Sequence, residues 1–192
     1  SNGFRACLRC RPKAAKKTDP QVTAILKACS LIDDHDQFSL DGLSAELNIS
    51  PSHLQRTFKE IIGVSPKKYA EAKQMERFKE GIREGDDVVQ AMYGAGYGSS
   101  SRLYEKASEN MGMTPATYKK GGKGMKIEYT IADCDLGKIL VARTERGICS
   151  VTFGDDNDVM HEGLQKEYPN AELTEDAKNL KNSVEEILKY MA

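Results

Sequence analysis

The residues best suited to chemistry in this chain are Ser52, Gln55, Arg56 and Lys59, which one predicted helix presents outward. Their types read base edges and hold phosphate oxygens. A second outward set, Ser100, Ser101, Arg102 and Lys106, follows in a repeat of the same pattern. There Glu105 stands where the first set has Arg56, and an acid at that place repels phosphate, so the first set is expected to dominate affinity. Cys7-Leu8-Arg9-Cys10 offers different chemistry: two thiolates separated by two residues can turn back onto one metal ion, and Arg5, Arg9 and Arg11 favour their ionisation. A structural zinc takes four ligands and no second pair lies nearby, so the spacing alone leaves a metal half-site, a redox pair and incidental thiols all open.

Two helix-turn-helix units must position the outward sets. In the first, Leu43, Leu47, Ile49, Leu54 and Phe58 are spaced to wedge two short helices together across a tight turn. Ser44 is small where the helices cross, and Asn48 tolerates the left-handed backbone that the turn needs. Gly63-Val64-Ser65-Pro66-Lys67-Lys68-Tyr69 then matches Gly112-Met113-Thr114-Pro115-Ala116-Thr117-Tyr118, a repeat at helical-unit spacing. Leu54 and Leu103 keep that register, whereas Asn48 pairs with Gly96 and Ile49 with Tyr97, so the second turn carries one extra residue. Between the units a long helix is predicted, capped by Ser65 with Pro66 in its first turn and ended by Gly85-Asp86. Tyr69, Ala72, Met75, Phe78 and Ile82 form its expected apolar stripe. A rigid helix between two heads fixes their separation, as entry into successive major grooves requires.

The net charge of -1 conceals two unlike halves. Ser1 to Gly124 carries 20 basic against 15 acidic residues, a balance of +5, while Met125 to Ala192 carries 8 against 14, a balance of -6. The first half suits a polyanion and the second does not. No apolar run approaches the ~20 residues of a membrane span, so a soluble chain without membrane partners is expected. The start, Ser1-Asn2-Gly3, reads as a cut edge rather than a secretory signal. Five cysteines without a regular framework imply a reducing, cytoplasmic setting. Cys29, on an apolar stripe with Ile25, Leu26 and Ile32, is expected in the core, and Cys134 and Cys149 in strands. His35, His53 and His161 show no metal-ligand spacing.

Gly121-Gly122-Lys123-Gly124 breaks the helical pattern and marks the expected domain boundary. Beyond it, segments starting at Met125, Gly137 and Gly147 read as three antiparallel strands. A helix follows with Val159, Leu164 and Tyr168 inward, closed by Pro169; a last helix from about Glu175 turns Leu180, Val184, Ile187 and Leu188 inward. Asp133, Asp135, Asp155, Asp156 and Asp158 fit no calcium loop and are expected as solvated turn acids.

From Val22 to Lys120, both heads, the joining helix and the Gly-x-Ser/Thr-Pro endings resemble the AraC/XylS class of transcriptional regulators. That resemblance implies base contacts by Ser52, Gln55 and Arg56. Phe4 to Pro12 is similar to the end of the zinc-bearing alkyl-phosphotriester repair domain of Ada-type regulators, which implies Cys7 and Cys10 as the ligand-only half of a four-cysteine zinc site. The order β-β-β-α, with Asp133-Cys134-Asp135-Leu136-Gly137 and Arg146-Gly147-Ile148-Cys149, resembles the ribonuclease-H-like lobe of O6-methylguanine-DNA methyltransferases. That family transfers the methyl to a Pro-Cys-His-Arg cysteine, a motif this sequence lacks, so neither Cys134 nor Cys149 inherits the role.

The fold class expected is α + α/β: an all-α tandem helix-turn-helix domain followed by a small ribonuclease-H-like lobe. The divisions are residues 1–12 (zinc-domain tail), 13–20 (basic linker), 21–120 (reader), 121–124 (linker) and 125–192 (lobe). The three resemblances together imply a sequence-specific regulator of the response to DNA alkylation, with promoter DNA and RNA polymerase as partners and no small-molecule ligand. Two other readings stand beside it. One is a repair methyltransferase whose helix-turn-helix repeats only hold DNA; the other is an AraC-type regulator whose acidic third binds a partner.

Overall fold

The computed structural model describes residues 20–34 and 39–191. Among the described residues seven helices come first: α1 (Pro20–Asp34), α2 (Leu40–Leu47), α3 (Pro51–Ile62), α4 (Pro66–Glu84), α5 (Val88–Gly94), α6 (Ser100–Met111) and α7 (Pro115–Lys119). The remainder is β1 (Lys126–Cys134), β2 (Gly137–Thr144), β3 (Gly147–Gly154), α8 (Asn157–Glu167), β4 (Glu172–Glu175) and α9 (Ala177–Met191). The described residues thus form an all-α tandem helix-turn-helix region followed by a small sheet-and-helix lobe. Cys7, Cys10, the basic stretch Lys13 to Lys17 and His35 lie outside the described residues.

The helix ends follow from their residues. Ser65 accepts a hydrogen bond from Lys68 N and Pro66 occupies the first turn of α4; Gly85, at φ 106°, closes it. On α4, Met75 and Phe78 are buried, but Ala72 is exposed and Ala70 is buried in its place. The helix rotates that far because its first turns serve the first head and its last turns serve the second. On α1, Ile25, Ala28 and Ile32 face inward and Leu26 is half exposed, since the buried stripe of a 3.6-residue period cannot hold both neighbours.

The lobe has four strands, one more than its sequence signals. The sheet order is β3-β2-β1-β4, with β1, β2 and β3 antiparallel and β4 parallel to β1. Strand β4 is four residues long, with Leu173 as its one apolar residue, so neither period nor run length announces it. It forms because α8 carries the chain back across the sheet and lays Leu173 opposite Ile127. On α8, Leu164 is buried and Tyr168 follows it inward, but Val159 is 68 % exposed and Met160 occupies the buried position. Helix α9 packs Leu180 and Val184 onto Ile139 and Val141 on the other face of the sheet.

Of the three buried clusters among the described residues, two hold the helices of the heads, and the second of these continues across the glycine run into the lobe. The first core joins α1, α2, α3 and the start of α4 through Ile25, Leu43, Leu54, Phe58 and Ala70. The second runs from Phe78, Met92, Leu103 and Met111 of the second head into Ile127, Leu140, Cys149 and Tyr168 of the lobe. Helix α6 lies on β3 through this shared core. Polar contacts reinforce it. Thr144 Oγ1 donates to the Gly112 carbonyl at 2.6 Å. Lys79 meets Glu167 at 2.9 Å, and Tyr118 donates to the same carboxylate at 3.2 Å.

Candidate nucleic-acid interface

In the first head the turn is built as its residues dictate. Asn48 adopts φ 53°, ψ 43°, and is the one non-glycine residue with positive φ among those described. Ile49 N then bonds the Ser44 carbonyl at 3.0 Å, closing α2. Ser50 starts α3 by accepting from His53 N, and Pro51 fills its first turn. Leu54, Thr57 and Phe58 hold the inner face of α3. Phe58 meets the Tyr69 ring edge-on at 5.6 Å, and Tyr69 donates to Asp33 at 3.1 Å, which ties α1, α3 and α4 together.

That packing leaves Ser52, Gln55, Arg56 and Lys59 exposed. Their spacing of three, one and three residues puts them on a single stripe of α3. All four residues expected to face outward are thus brought together on one helix surface. The stripe combines an amide that can pair with adenine, a guanidinium that can pair with guanine, a hydroxyl and an ammonium group.

The second head is capped differently. Asp87 and Gln90 form a reciprocal capping box: Val89 N and Gln90 N each donate to Asp87 at 2.8 Å, and Asp87 N donates to Gln90 at 3.1 Å. Gly96, at φ 80°, makes the turn that Asn48 makes in the first head. Two residues separate Asn48 from α3 and three separate Gly96 from α6, which is the extra residue expected of the second turn. Ser99 makes no side-chain capping bond to α6. Ser100, Ser101 and Arg102 are exposed on its first turn. Lys106 is half buried and meets Glu71 of α4 at 3.6 Å, so it does not share their surface freely.

By the register that matches Leu54 to Leu103, Ser52, Gln55 and Arg56 correspond to Ser101, Tyr104 and Glu105. Tyr104 is 45 % exposed, yet the polar pattern of the sequence does not select it. The repeat register carries the signal for it; polarity passes over it because an aromatic side chain reads first as core. The outward stripe of α6 is therefore tyrosine and glutamate where that of α3 is glutamine and arginine.

The lobe places its cysteines unlike nucleophiles. Cys149 is 2 % exposed, and burial pushes its thiol up to about 12 despite the nearby Lys79. Its carbonyl accepts from the Tyr168 hydroxyl at 3.0 Å. Cys134 is half buried beside the α9 face. Two of the five acids expected on turns have structural partners: Asp133 meets Lys138 at 2.8 Å, and Asp156 caps α8. Among the described residues no group of three or more His, Cys, Asp or Glu side chains is placed to hold a metal ion, and no helix is long and apolar enough to cross a membrane.

Comparison with known proteins follows the same division. Residues 43–121 match the family described as "Helix-turn-helix domain". Residues 127–192 match "6-O-methylguanine DNA methyltransferase, ribonuclease-like domain". The chain is 37 % identical over 170 residues to "Bifunctional transcriptional activator/DNA repair enzyme Ada" of Escherichia coli strain K12, covering 88 % of this chain and 48 % of that protein. It is 35 % identical over 169 residues to "Regulatory protein ada" of Salmonella typhimurium, with the same coverages, 88 % and 48 %. It thus spans about half the length of these relatives. Among solved structures, the C-terminal domain of AraT, a response regulator from Geobacillus stearothermophilus, superposes with a TM-score of 0.50 at 21 % identity, over 53 % of this chain and 88 % of that one. The likeness carries the fold of the reader.

Proposed function

The chain belongs to the Ada-type proteins, and from that premise we propose that it is a sequence-specific DNA-binding regulator of the response to DNA alkylation. The observation that carries the reading is the stripe of Ser52, Gln55, Arg56 and Lys59 on α3, held outward by a packed inner face. The second head adds a weaker contact through Ser100, Ser101 and Arg102, with Lys106 held back by Glu71. Helix α4, 19 residues and so about 28 Å long, separates the heads by nearly the ~34 Å of one duplex turn. Promoter DNA is the partner, RNA polymerase the machinery it recruits, and the cytoplasm its place of action.

No methyl transfer is assigned to Cys134 or Cys149. A methyl acceptor must be an accessible thiolate, and the buried, raised Cys149 thiol is the opposite. Cys7 and Cys10 supply two thiolates, half of a tetrahedral zinc shell, so no step of DNA recognition is routed through zinc.

The test begins with selection of a duplex site from a random pool by the full chain. Each good base contact contributes ~1–3 kcal/mol of discrimination. Gln55→Ala and Arg56→Ala should therefore each weaken binding to the selected site by about tenfold to a hundredfold, and to random duplex far less. Equal losses on both would refute base reading by these side chains. Preference for alkylated over unmodified duplex, with no selected sequence, would favour an enzyme that merely holds DNA.

A further inference from the structure

The segment from Pro115 to Ile127 contains four lysines and no acid: Lys119, Lys120, Lys123 and Lys126. All four are exposed, and none forms an ion pair among the described residues. The backbone beneath them is fixed. Gly122 N bonds the Thr117 carbonyl at 3.1 Å, Met125 N the Gly122 carbonyl at 2.9 Å, and Asn170 N the Gly121 carbonyl at 2.8 Å. Asn170 Nδ2 holds the Lys120 carbonyl at 3.0 Å. The glycines turn their Cα hydrogens toward the lobe: a Cβ at Gly121 would lie 2.8 Å from Pro169 Cγ, and one at Gly122 would lie 3.0 Å from Ala171 Cβ. A turn that reads in the sequence as a linker is a rigid platform carrying unpaired ammonium groups.

Neighbouring carboxylates are already engaged. Glu167 is held by Lys79 and Tyr118, and Glu128 by Arg143. Glu172, opposite Lys126 in the β1–β4 register, and Glu145, which lines one cavity with Gly124 and Lys126, are the exceptions, so Lys119, Lys120 and Lys123 are freer than Lys126.

The charge division of the chain gives this platform a task. The lobe, at -6, is joined to the second head through a continuous core and cannot swing away when the heads meet DNA. Its field opposes approach to a polyanion. We infer that the Lys119–Lys123 turn is a binding platform for the phosphate backbone of duplex DNA, distinct from both recognition helices, which offsets that repulsion and holds the joint between reader and lobe against the duplex. The inference rests on the proposed DNA-binding function. Because the platform is ordered before binding, little chain entropy is lost on contact.

Backbone contacts of this kind are sequence-blind and release counterions, so each lowers the slope of log Kobs against log[salt] by ~0.9 on duplex DNA. The full chain carrying Lys119→Gln, Lys120→Gln and Lys123→Gln together should lose about 2–3 from the magnitude of that slope, equally on selected and scrambled duplexes. A charge-matched control, Lys178→Gln, Lys181→Gln and Lys189→Gln on the exposed side of α9, should keep the wild-type slope. An unchanged slope in the platform variant overturns the inference while leaving the DNA-binding reading intact, and so does an equal fall in the control. Failure of the wild-type chain to bind any duplex overturns the DNA-binding reading itself, and this inference with it.

Discussion

Alanine at Gly112 should be among the most damaging single substitutions in the second half of the chain, although the residue touches no DNA. Gly112 ends α6 at φ 61°, where an L residue is strained by ~1–2 kcal/mol. An added Cβ would lie 2.7 Å from Thr144 Oγ1, 2.9 Å from the Gly147 carbonyl oxygen and 3.3 Å from Cys149 Cβ. Two of these neighbours are a buried threonine and a backbone carbonyl, which cannot retreat as a flexible side chain would. Overpacking of that kind costs ~1–3 kcal/mol, and loss of the Thr144–Gly112 hydrogen bond costs ~1 kcal/mol more. Together they predict destabilisation by about 3–6 kcal/mol for Gly112→Ala. Gly63 occupies the same place in the first head at φ 92°, but a Cβ added there would meet nothing within 4 Å. Gly63→Ala should therefore cost only the backbone strain, about 1–2 kcal/mol. Urea denaturation followed by circular dichroism gives the two values, and hydrogen exchange locates the loss. Protection should fall in α5 to α7 and in β2 and β3 together, because they share one core, while α1 to α3 keep theirs. Equal effects at Gly63 and Gly112 would refute the reasoning, as would loss confined to the sheet.

Glu167→Gln should destabilise the fold by about 1–2 kcal/mol, since it breaks a largely buried ion pair that also binds Tyr118. Glu162→Gln, which breaks the exposed pair with Lys166, should leave the thermal midpoint unchanged; matching shifts would contradict the burial argument. Cys149 should resist alkylation by iodoacetamide in the native protein at pH 8 and react only on unfolding; mass spectrometry of the tryptic peptide decides it. Stability should fall at high pH. The Cys149 thiol and the Tyr97 hydroxyl are both raised to about 12 by burial, from 9.0 and 10.0. The unfolded state then loses these protons first, so the stability is complete below about pH 9 and is lost as pH rises towards 12. A flat alkaline limb in pH-dependent urea midpoints would refute this. Cys7 and Cys10 should hold zinc weakly, and a stoichiometric ion surviving dialysis against a chelator would show that two further ligands reach them.

The reader was legible because each of its devices is local. Asn48 and Gly96 announce turns by the backbone they tolerate, and Ser65 announces a helix start by the amide group it caps. The outward stripe of α3 follows from helical period once the inward residues are known, and it needs no partner from elsewhere in the chain. Strands β1 to β3 were legible for the same reason, since hairpin turns and alternation are properties of neighbouring residues. What sequence could not give was decided by contacts between distant segments. Strand β4 exists because β1 offers it a pairing edge; its own residues, Glu172 to Glu175, carry no such preference. Val159 and Met160 differ little in apolar character, and only the placement of α8 on the sheet decides which is covered. Gly63 and Gly112 look alike in the repeat, yet one faces open space and the other the sheet. The glycine run at 121–124 ends one pattern and begins another, but the core passes across it, because Phe78, Met111, Ile127 and Tyr168 exclude water together. Burial is a property of the closed surface, and the surface closes only when both halves of the chain are in place.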